Sequence, residues 1–572
     1  MTVVSPAPAR HRPARSRRRP SAPQLLLAAG VVASLVVCIY TVRDGWFGVD
    51  AYNYFADRGG LRGEHTSVWA PYGGHWEPVV IGVYLVIWKF VGFSSYLPYV
   101  LPAILTHLAI CVLMFGILRR LGHQEWLSLS VVWLLLFYGA AGEAYTSDAP
   151  VALTSALALG LGALFVLLGG DSRRREVTAT ALLLLALGCS VTSVVAIALV
   201  AIYLVGVRRL RTAALAGGIP TACFMVWFAV SGRTGGRGSF GVDLLLEIPA
   251  AVWKAVTVPL GDVSGMAGAG VTLTLVVTLA TLISPEPTPA QRAVALAGLA
   301  AALLQLTLSA VANASTVGAG LEDAVTVGRY RYIVLVCLLP AVAVTVQWGL
   351  RRFTTVTAGQ SRLVAALLAV AVLVASTIHG LADLRGARNF NVAVGQHYKD
   401  VLFGSVAAMD LGEKMLYFEG IVFMNGHDIE KLARPEAREH FPEDFRPTAD
   451  QRFTAESALF VGVRDETMDL PAPAGVSSED FTKPLSNKFG CRSYTSTSMT
   501  PLITMTSFEG GQIAVTSDSS TIRTRLTRDD LSSEPKAWAV TAGEPVYIAT
   551  SAQLAQLDIA FDSGGTFRIC RA

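Results

Sequence analysis

Apolar runs recur along the chain from Leu25 to about Gly380 and then stop; beyond them polar and apolar positions alternate. The runs fall at 24–43, 97–118, 126–140, 150–169, 177–190, 192–207, 212–231, 267–284, 291–312, 331–349 and 361–380. A bilayer core of about 30 Å needs roughly 17–25 such residues per helix, so several runs are short, both halves of the hairpin at 177–207 among them. The pattern predicts a mainly α polytopic membrane protein with about 11 transmembrane helices. Val79–Gly92 is apolar too. Counted as a full crossing it would throw Arg119-Arg120 to the wrong side, so it is expected to lie in the outer interface with Trp88 and Lys89 at its wet end.

Residues 384–572 are polar enough, and long enough, for one further domain. Its first part has helical stretches at Ala407–Leu416 and Ile429–His440, and Pro471-Ala472-Pro473-Ala474-Gly475 reads as a hinge. Short period-two runs follow at Gln512–Val515, Thr521–Leu526, Ala537–Val540, Val546–Ala549, Leu557–Phe561 and Thr566–Ile569. Strands of that length between turn residues predict a small β-sandwich. The expected division is a basic tail at 1–23, a membrane domain at 24–383, and an α+β domain at 384–572 that is β-rich from about 475.

Composition agrees with a life in lipid. The 572 residues are 52% hydrophobic and 15% charged, against roughly 25% charged in soluble domains. The net charge of +4 is unevenly spread, with Arg10, Arg12, Arg15, Arg17, Arg18 and Arg19 crowded before the first run. A secretory signal peptide starts similarly, but this run is long enough to span and no small-residue cleavage site clearly follows. Arg119-Arg120, Arg173-Arg174-Arg175, Arg208-Arg209 with Arg211, Arg292 and Arg351-Arg352 share the side of that cluster under the eleven-helix count. The positive-inside rule then places the N-terminus in the cytoplasm and the C-terminal domain outside. Beside a membrane span this Arg cluster does not read as a nucleic-acid arm. Of seven cysteines, five sit in apolar runs; Cys491 and Cys570 lie in the polar region and could pair there if it is exported.

The outward loops carry the acids. Asp50 follows the first span in Gly48-Val49-Asp50-Ala51-Tyr52-Asn53-Tyr54, and Gly74-His75-Trp76-Glu77-Pro78 comes next; Glu64, His65, Glu143, Asp148, Asp243, Glu247, Asp262, Glu322 and Asp323 face the same way. Ionisable groups at membrane depth are costly, which makes function the default reading of Asp50. The plainer alternative is a helix cap or a pair with Arg43 or Arg58.

These features together resemble the C-type glycosyltransferases, the GT-C fold, over roughly residues 24–380. The points of likeness are an acid just after the first helix, His-Trp-Glu-Pro where relatives often show His-Pro-Pro, and an interfacial helix ending Lys-Phe-Val-Gly. To these add an Arg-Arg-Leu-Gly close to the second span, Ser147-Asp148-Ala149 heading the fourth helix, and Gly328-Arg329-Tyr330-Arg331-Tyr332 opening a late one. The resemblance implies sugar transfer on the outer face from a polyprenyl-phosphate-linked donor to a glycan, lipid or protein acceptor, in the plasma membrane of a bacterium. An excess of Arg over Lys, with abundant Ala, Val and Gly, hints at a high-GC genome, where mannose or arabinofuranose would lead by family analogy alone.

The implied chemistry assigns roles. A carboxylate can act as base on the acceptor hydroxyl, which points to Asp50; Asp148 would orient the acceptor or cap its helix. His75 and Glu77 would shape the donor site, although Glu77 stands where relatives carry proline. Arg329 and Arg331, flanking Tyr330, would hold the leaving phosphate, or else snorkel in an aromatic belt. Arg233 and Arg237 in the Gly-rich 232–241 loop are outward cations of the same kind. No metal-ligand spacing appears; relatives with diphosphate donors need a divalent cation and many monophosphate users do not, so the resemblance leaves that choice open. Trp538 and Tyr547 could be glycan platforms, with core filling the plainer account. A transporter or lipid flippase, or a membrane anchor for a wall-binding domain, are the competing functions; no internal repeat favours the first.

Overall fold

The computed structural model describes residues 20–58, 67–71, 75–148, 150–232, 242–266, 268–313, 321–356, 360–416, 426–465, 470, 473, 475–477, 491–507, 510–553 and 555–571. The N-terminal arginines, Glu64, His65, Gly74, Ala149, Arg233, Arg237 and most of the expected hinge at 471–475 lie outside these residues.

The chain begins with α1 (Ala22–Val42), the short α2 (Val49–Arg58), α3 (Pro78–Val91), α4 (Leu97–Arg120) and α5 (Glu125–Leu136). It continues through α6 (Glu143–Thr146), α7 (Val151–Leu168), α8 (Arg173–Leu187), α9 (Ser193–Gly206), α10 (Leu210–Ala216), α11 (Gly218–Trp227), α12 (Val242–Ser264) and α13 (Ala269–Ile283). Next come α14 (Pro289–Asn313), α15 (Leu321–Val325), α16 (Gly328–Val356) and α17 (Gln360–Asp410), then α18 (Gly426–Ala433) and α19 (Ala449–Leu459).

This is a mostly helical membrane protein. Among the described residues, seven helical stretches are long and apolar enough to cross a bilayer, or eight if α12 and α13, bent by 105°, count as one broken span. Every expected apolar run falls on a helix, but the runs at 126–140, 177–190, 192–207 and 267–284 form helices of 12, 15, 14 and 15 residues. At 1.5 Å per residue these rise only about 18–23 Å. Alone they are too short to cross, because Phe137, Gly188, Val207 and Ser284 end them early.

The basic turns gather at one end of the bundle. Gln291 Nε2 donates to the Leu121 carbonyl (3.0 Å), Arg209 to that of Leu167 (3.1 Å), and Arg351 pairs with Glu286 (3.4 Å). His123 Nδ1 lies 2.5 Å from Gln347 Oε1. Two of the tightest crossings use glycine. A Cβ on Gly380 of α17 would stand 1.7 Å from the Phe137 carbonyl oxygen, and one on Gly139 would stand 1.8 Å from the Gly380 carbonyl oxygen. Nothing larger fits there.

α3 keeps Val83, Val86 and Phe90 exposed along one stripe, as an interfacial helix would. Trp88, expected at its wet end, is instead buried, stacked on Phe55 (centroids 4.3 Å apart) and covered by His440. The C-terminal helices close over it. Phe93 N donates to the His440 carbonyl (2.6 Å), and Lys431 pairs with Asp57 of α2 (2.8 Å). The helix expected at 407–416 stops at Asp410, just before Gly412 turns the chain at φ +82°.

Among the described residues the last region holds eleven strands: β1 (Val461–Arg464), β2 (Gly475–Ser477), β3 (Cys491–Ser496), β4 (Leu502–Ser507), β5 (Gly511–Ser517), β6 (Thr521–Arg528), β7 (Leu531–Ser532), β8 (Lys536–Ala539), β9 (Pro545–Thr550), β10 (Ala555–Phe561) and β11 (Gly565–Arg571). They form two antiparallel sheets, β1-β9-β5-β11-β3 and β2-β4-β10-β6-β7, with β8 beside β6. In β6, Ile522 and Leu526 turn inward while Arg523 and Arg525 stay outside, the alternation expected of a half-buried strand. Residues of both sheets, among them Ile513, Ile548, Ile559 and Phe567, belong to one hydrophobic cluster. Cys491 and Cys570 face each other in the β3–β11 register and form a disulfide. Trp538 is buried with its indole N–H on Thr524 Oγ1 (2.8 Å), a packing position and not an open platform.

Candidate functional site

At the end of the bundle away from the basic turns, five helices begin around one cavity of about 380 Å³. Asp50 lies in the first turn of α2, Glu77 precedes α3, Pro150 precedes α7, Thr192 precedes α9, and Arg329 opens α16; all five line the cavity. Each helix start presents N–H groups without helical partners and the positive end of its dipole. Convergence of several such ends gives the cavity a field that favours an anion.

The acid wall is built from the segment between α1 and α3. Tyr54, one turn after Asp50, donates its hydroxyl to Glu77 Oε2 (2.7 Å). Burial pushes the Glu77 carboxyl up from 4.5 to about 8; the Tyr54 hydrogen bond opposes the rise and the charge of Asp50 adds to it. Near neutral pH Glu77 is therefore a neutral acid able to donate a hydrogen bond. His75 also lines the cavity, and burial lowers its pKa below the ordinary range, against the pull of Asp50 and with the help of Arg329. Val79 N donates to the Gly188 carbonyl (3.0 Å), which ties the start of α3 to the α8–α9 turn.

Asp50, His75, Glu77, Arg329 and Tyr330 thus share one cavity, and Asp148 and Arg331 do not. Asp148 is 2% exposed and lies behind the wall. Its carboxylate accepts from Gly48 N (3.2 Å) and from the Tyr96 hydroxyl (3.4 Å), and its carbonyl accepts from Tyr84 (2.8 Å). It lines a separate space of about 70 Å³. Expected to orient the acceptor or cap its helix, it lies outside the Asp50 cavity and braces the turn that delivers Asp50. The fit is close: a Cβ on Gly48 would meet Asp148 Oδ1 at 3.0 Å.

Arg331 is correspondingly displaced. One residue of helix rotates a side chain by about 100°, so Arg329 and Arg331 leave α16 in different directions. Arg331 pairs with Asp262 (3.6 Å), which also accepts from Tyr138 (2.9 Å), and lines a more open space of about 600 Å³ with Glu143, His379 and Asp383. Arg329 pairs with Glu143 at 3.3 Å, so this ion pair stands between the two spaces. A cation in a helix's first turn opposes the dipole, and Glu143 offsets part of that cost.

Sequence reasoning missed the remaining polar lining: Ser190 and Thr192 in the α8–α9 turn, and Gln305 and Ser309 in α14. The available signal was Gln305, an amide one turn from a serine inside an otherwise apolar run. His107, also inside a run, is buried between helices with Nδ1 2.8 Å from the Tyr332 hydroxyl and its ring stacked on Tyr145, a packing role. Among the described residues no three His, Cys, Asp or Glu side chains gather as a metal would need. The sequence matches no protein-family model and none of the curated proteins.

Proposed function

We propose that this chain is a membrane glycosyltransferase of the C type, moving a sugar from a polyprenyl-phosphate donor to a cell-envelope glycan, lipid or protein acceptor by a single inverting displacement. The observation that carries the reading is the meeting of Asp50 and Arg329 in one cavity ringed by helix N-termini. In the proposed step Asp50 takes the proton of the acceptor hydroxyl as its oxygen bonds to the anomeric carbon. The bond from that carbon to the phosphate oxygen breaks, and the leaving phosphate keeps the electron pair. Arg329 and the helix starts hold its charge, and neutral Glu77 can donate to it. Tyr330 and His75 complete the donor end. Glu143 keeps Arg329 in place before the phosphate arrives.

The same geometry supports a sidedness. Every basic turn is at one end and every cavity-lining helix start at the other, so the positive-inside rule supports an outward cavity. The seven long stretches and the four short helices then make up the eleven membrane segments, the α8–α9 hairpin turning back beneath the cavity short of the outer surface; the two C-terminal sheets stack as a sandwich outside, and the Cys491–Cys570 disulfide suits that compartment. The broken α12–α13 pair is a feature of many transporters, but neither helix supplies a described residue of the Asp50 cavity.

The test is incubation of the purified protein with radiolabelled polyprenyl-phosphate sugars, wild type against Asp50→Asn. Transfer by wild type and a loss of at least about a hundredfold in the variant is the expected result. Equal turnover removes Asp50 as base, and no turnover with any donor returns the transporter and anchor readings.

A further inference from the structure

We infer that Gln305 and Ser309 of α14, with Ser190 and Thr192 of the α8–α9 turn, form the subsite that reads the hydroxyl groups of the transferred unit, and that this unit is a neutral sugar. The inference rests on the glycosyltransferase reading and adds the class of sugar to it.

The chief observation is Gln305. It is 4% exposed, lines the cavity and donates from Nε2 to Ser309 Oγ (2.8 Å). Among the described residues its Oε1 has no hydrogen-bond partner. A buried amide oxygen left without a donor is costly, so the position makes sense where the cavity's occupant supplies one. Gln305 and Ser309 are one turn apart on a single face of α14, and Ala312 continues that face into the cavity.

The chemistry of this wall differs from that of the Asp50–Arg329 wall. Its four polar side chains are uncharged, and hydroxyls and amides both donate and accept. That inventory matches sugar hydroxyls, which also do both. A carboxylate or ammonium substituent would be stripped of water here with no counter-charge supplied by these four residues. Pro150, Leu153 and Val191 add apolar surface for a ring face. At about 380 Å³ the cavity is near the lower end of the range for small-molecule sites, room for one ring and its phosphate.

The experiment measures binding to the full chain in lipid nanodiscs. The probes are short-chain prenyl phosphate alone and the same lipid phosphate carrying mannose, arabinofuranose or glucuronic acid. Wild type should bind at least one neutral-sugar probe more tightly than the bare phosphate, and the glucuronic acid probe no better than the bare phosphate. Gln305→Met, close in volume, should weaken the neutral-sugar probe on the order of tenfold and leave bare phosphate binding unchanged, which also reports that the variant is folded. Tightest binding of the uronic acid probe, or equal loss for bare and sugar-bearing probes, overturns the inference. If bare phosphate binds and no sugar adds affinity, this inference alone fails. If wild type binds none of the probes, the underlying glycosyltransferase reading fails with it.

Discussion

Replacing Glu77 with glutamine should remove a pH dependence that the wild type carries. The carboxyl is held at about 8 against 4.5 when free, and at 1.36 kcal/mol per unit this is a displacement of about 5 kcal/mol, an upper figure for a site that can relax. The sign follows from linkage. Below pH 4.5 both folded and unfolded chains hold the proton and the local structure has its full stability. Between 4.5 and 8 the unfolded chain has lost the proton while the folded chain keeps it, so stability falls with rising pH by up to about 1.4 kcal/mol per unit. Above about 8 the folded chain ionises as well and the decline levels off. The Glu77→Gln side chain has no proton to lose, yet its amide oxygen can still accept from Tyr54, which in the wild type donates to the carboxyl at 2.7 Å. Infrared difference spectra, wild type minus Glu77→Gln, should show the carbonyl stretch of a protonated carboxylic acid at pH 7 and lose it near pH 8. Melting of the wild type should fall relative to the variant across the same window. A wild-type spectrum without that band at pH 7, with parallel melting curves, would refute the claim that burial outweighs the Tyr54 hydrogen bond.

Two further outcomes follow from the wall around Asp50 and from the sheets. Asp148→Ala strips an acceptor from Gly48 N and Tyr96 and should cost roughly 1–3 kcal/mol while lowering turnover, whereas Asp148→Asn should recover most of both. An Asn variant as inactive as Asp50→Asn would return Asp148 to the chemistry. In the β region, Cys491–Cys570 closes a separation of 79 residues, worth about 4–5 kcal/mol by chain entropy. Denatured, unreduced protein should take five thiol labels and reduced protein seven, and Cys491→Ser with Cys570→Ser should melt the sheets earlier; seven labels without reduction would show the bond absent.

What was legible in the sequence was whatever depends on local pattern. Each apolar run became a helix, and all six period-two runs overlap strands of the two sheets. β3 and β4 escaped because Cys491–Ser496 and Leu502–Ser507 are rich in Ser and Thr, and their pairing with β11 and β10 is non-local. The shortness of α5, α8 and α9 was already visible in their runs, whereas the residue at which each helix ends was not, because hydropathy marks where apolar residues are. At the site, Asp50, His75 and Glu77 could be grouped because one loop carries them. Arg329 joined them only on a resemblance. Arg331 was grouped with Arg329 by adjacency in sequence, though a helix sends such neighbours apart. Asp148 presented the same residue type in the same kind of loop as Asp50, and only tertiary packing, with Tyr84 and Tyr96 over it, separates a residue facing the cavity from one bracing it.

The short helices also explain where the cavity can be. α8 and α9 have 15 and 14 residues and so rise about 21–22 Å, roughly 8 Å less than the hydrocarbon thickness. On the proposed placement, with the basic Arg173 and Arg209 ends at one membrane surface, the turn at Ser190–Thr192 stops below the other. α3 fills that level from the side, its start bonded to Gly188 and its Val83, Val86 and Phe90 stripe exposed. On that placement the floor of the cavity lies beneath the headgroups, where water competes poorly for the N–H groups of the helix starts that line it. A charge placed there interacts more strongly than one at the surface. On the proposed reading, a phosphate already tethered to a lipid could reach this depth from within the bilayer with its sugar still attached, whereas a soluble nucleotide sugar would have to shed its hydration and enter from water. The depth set by two truncated helices thus favours a lipid-borne donor independently of any residue at the site.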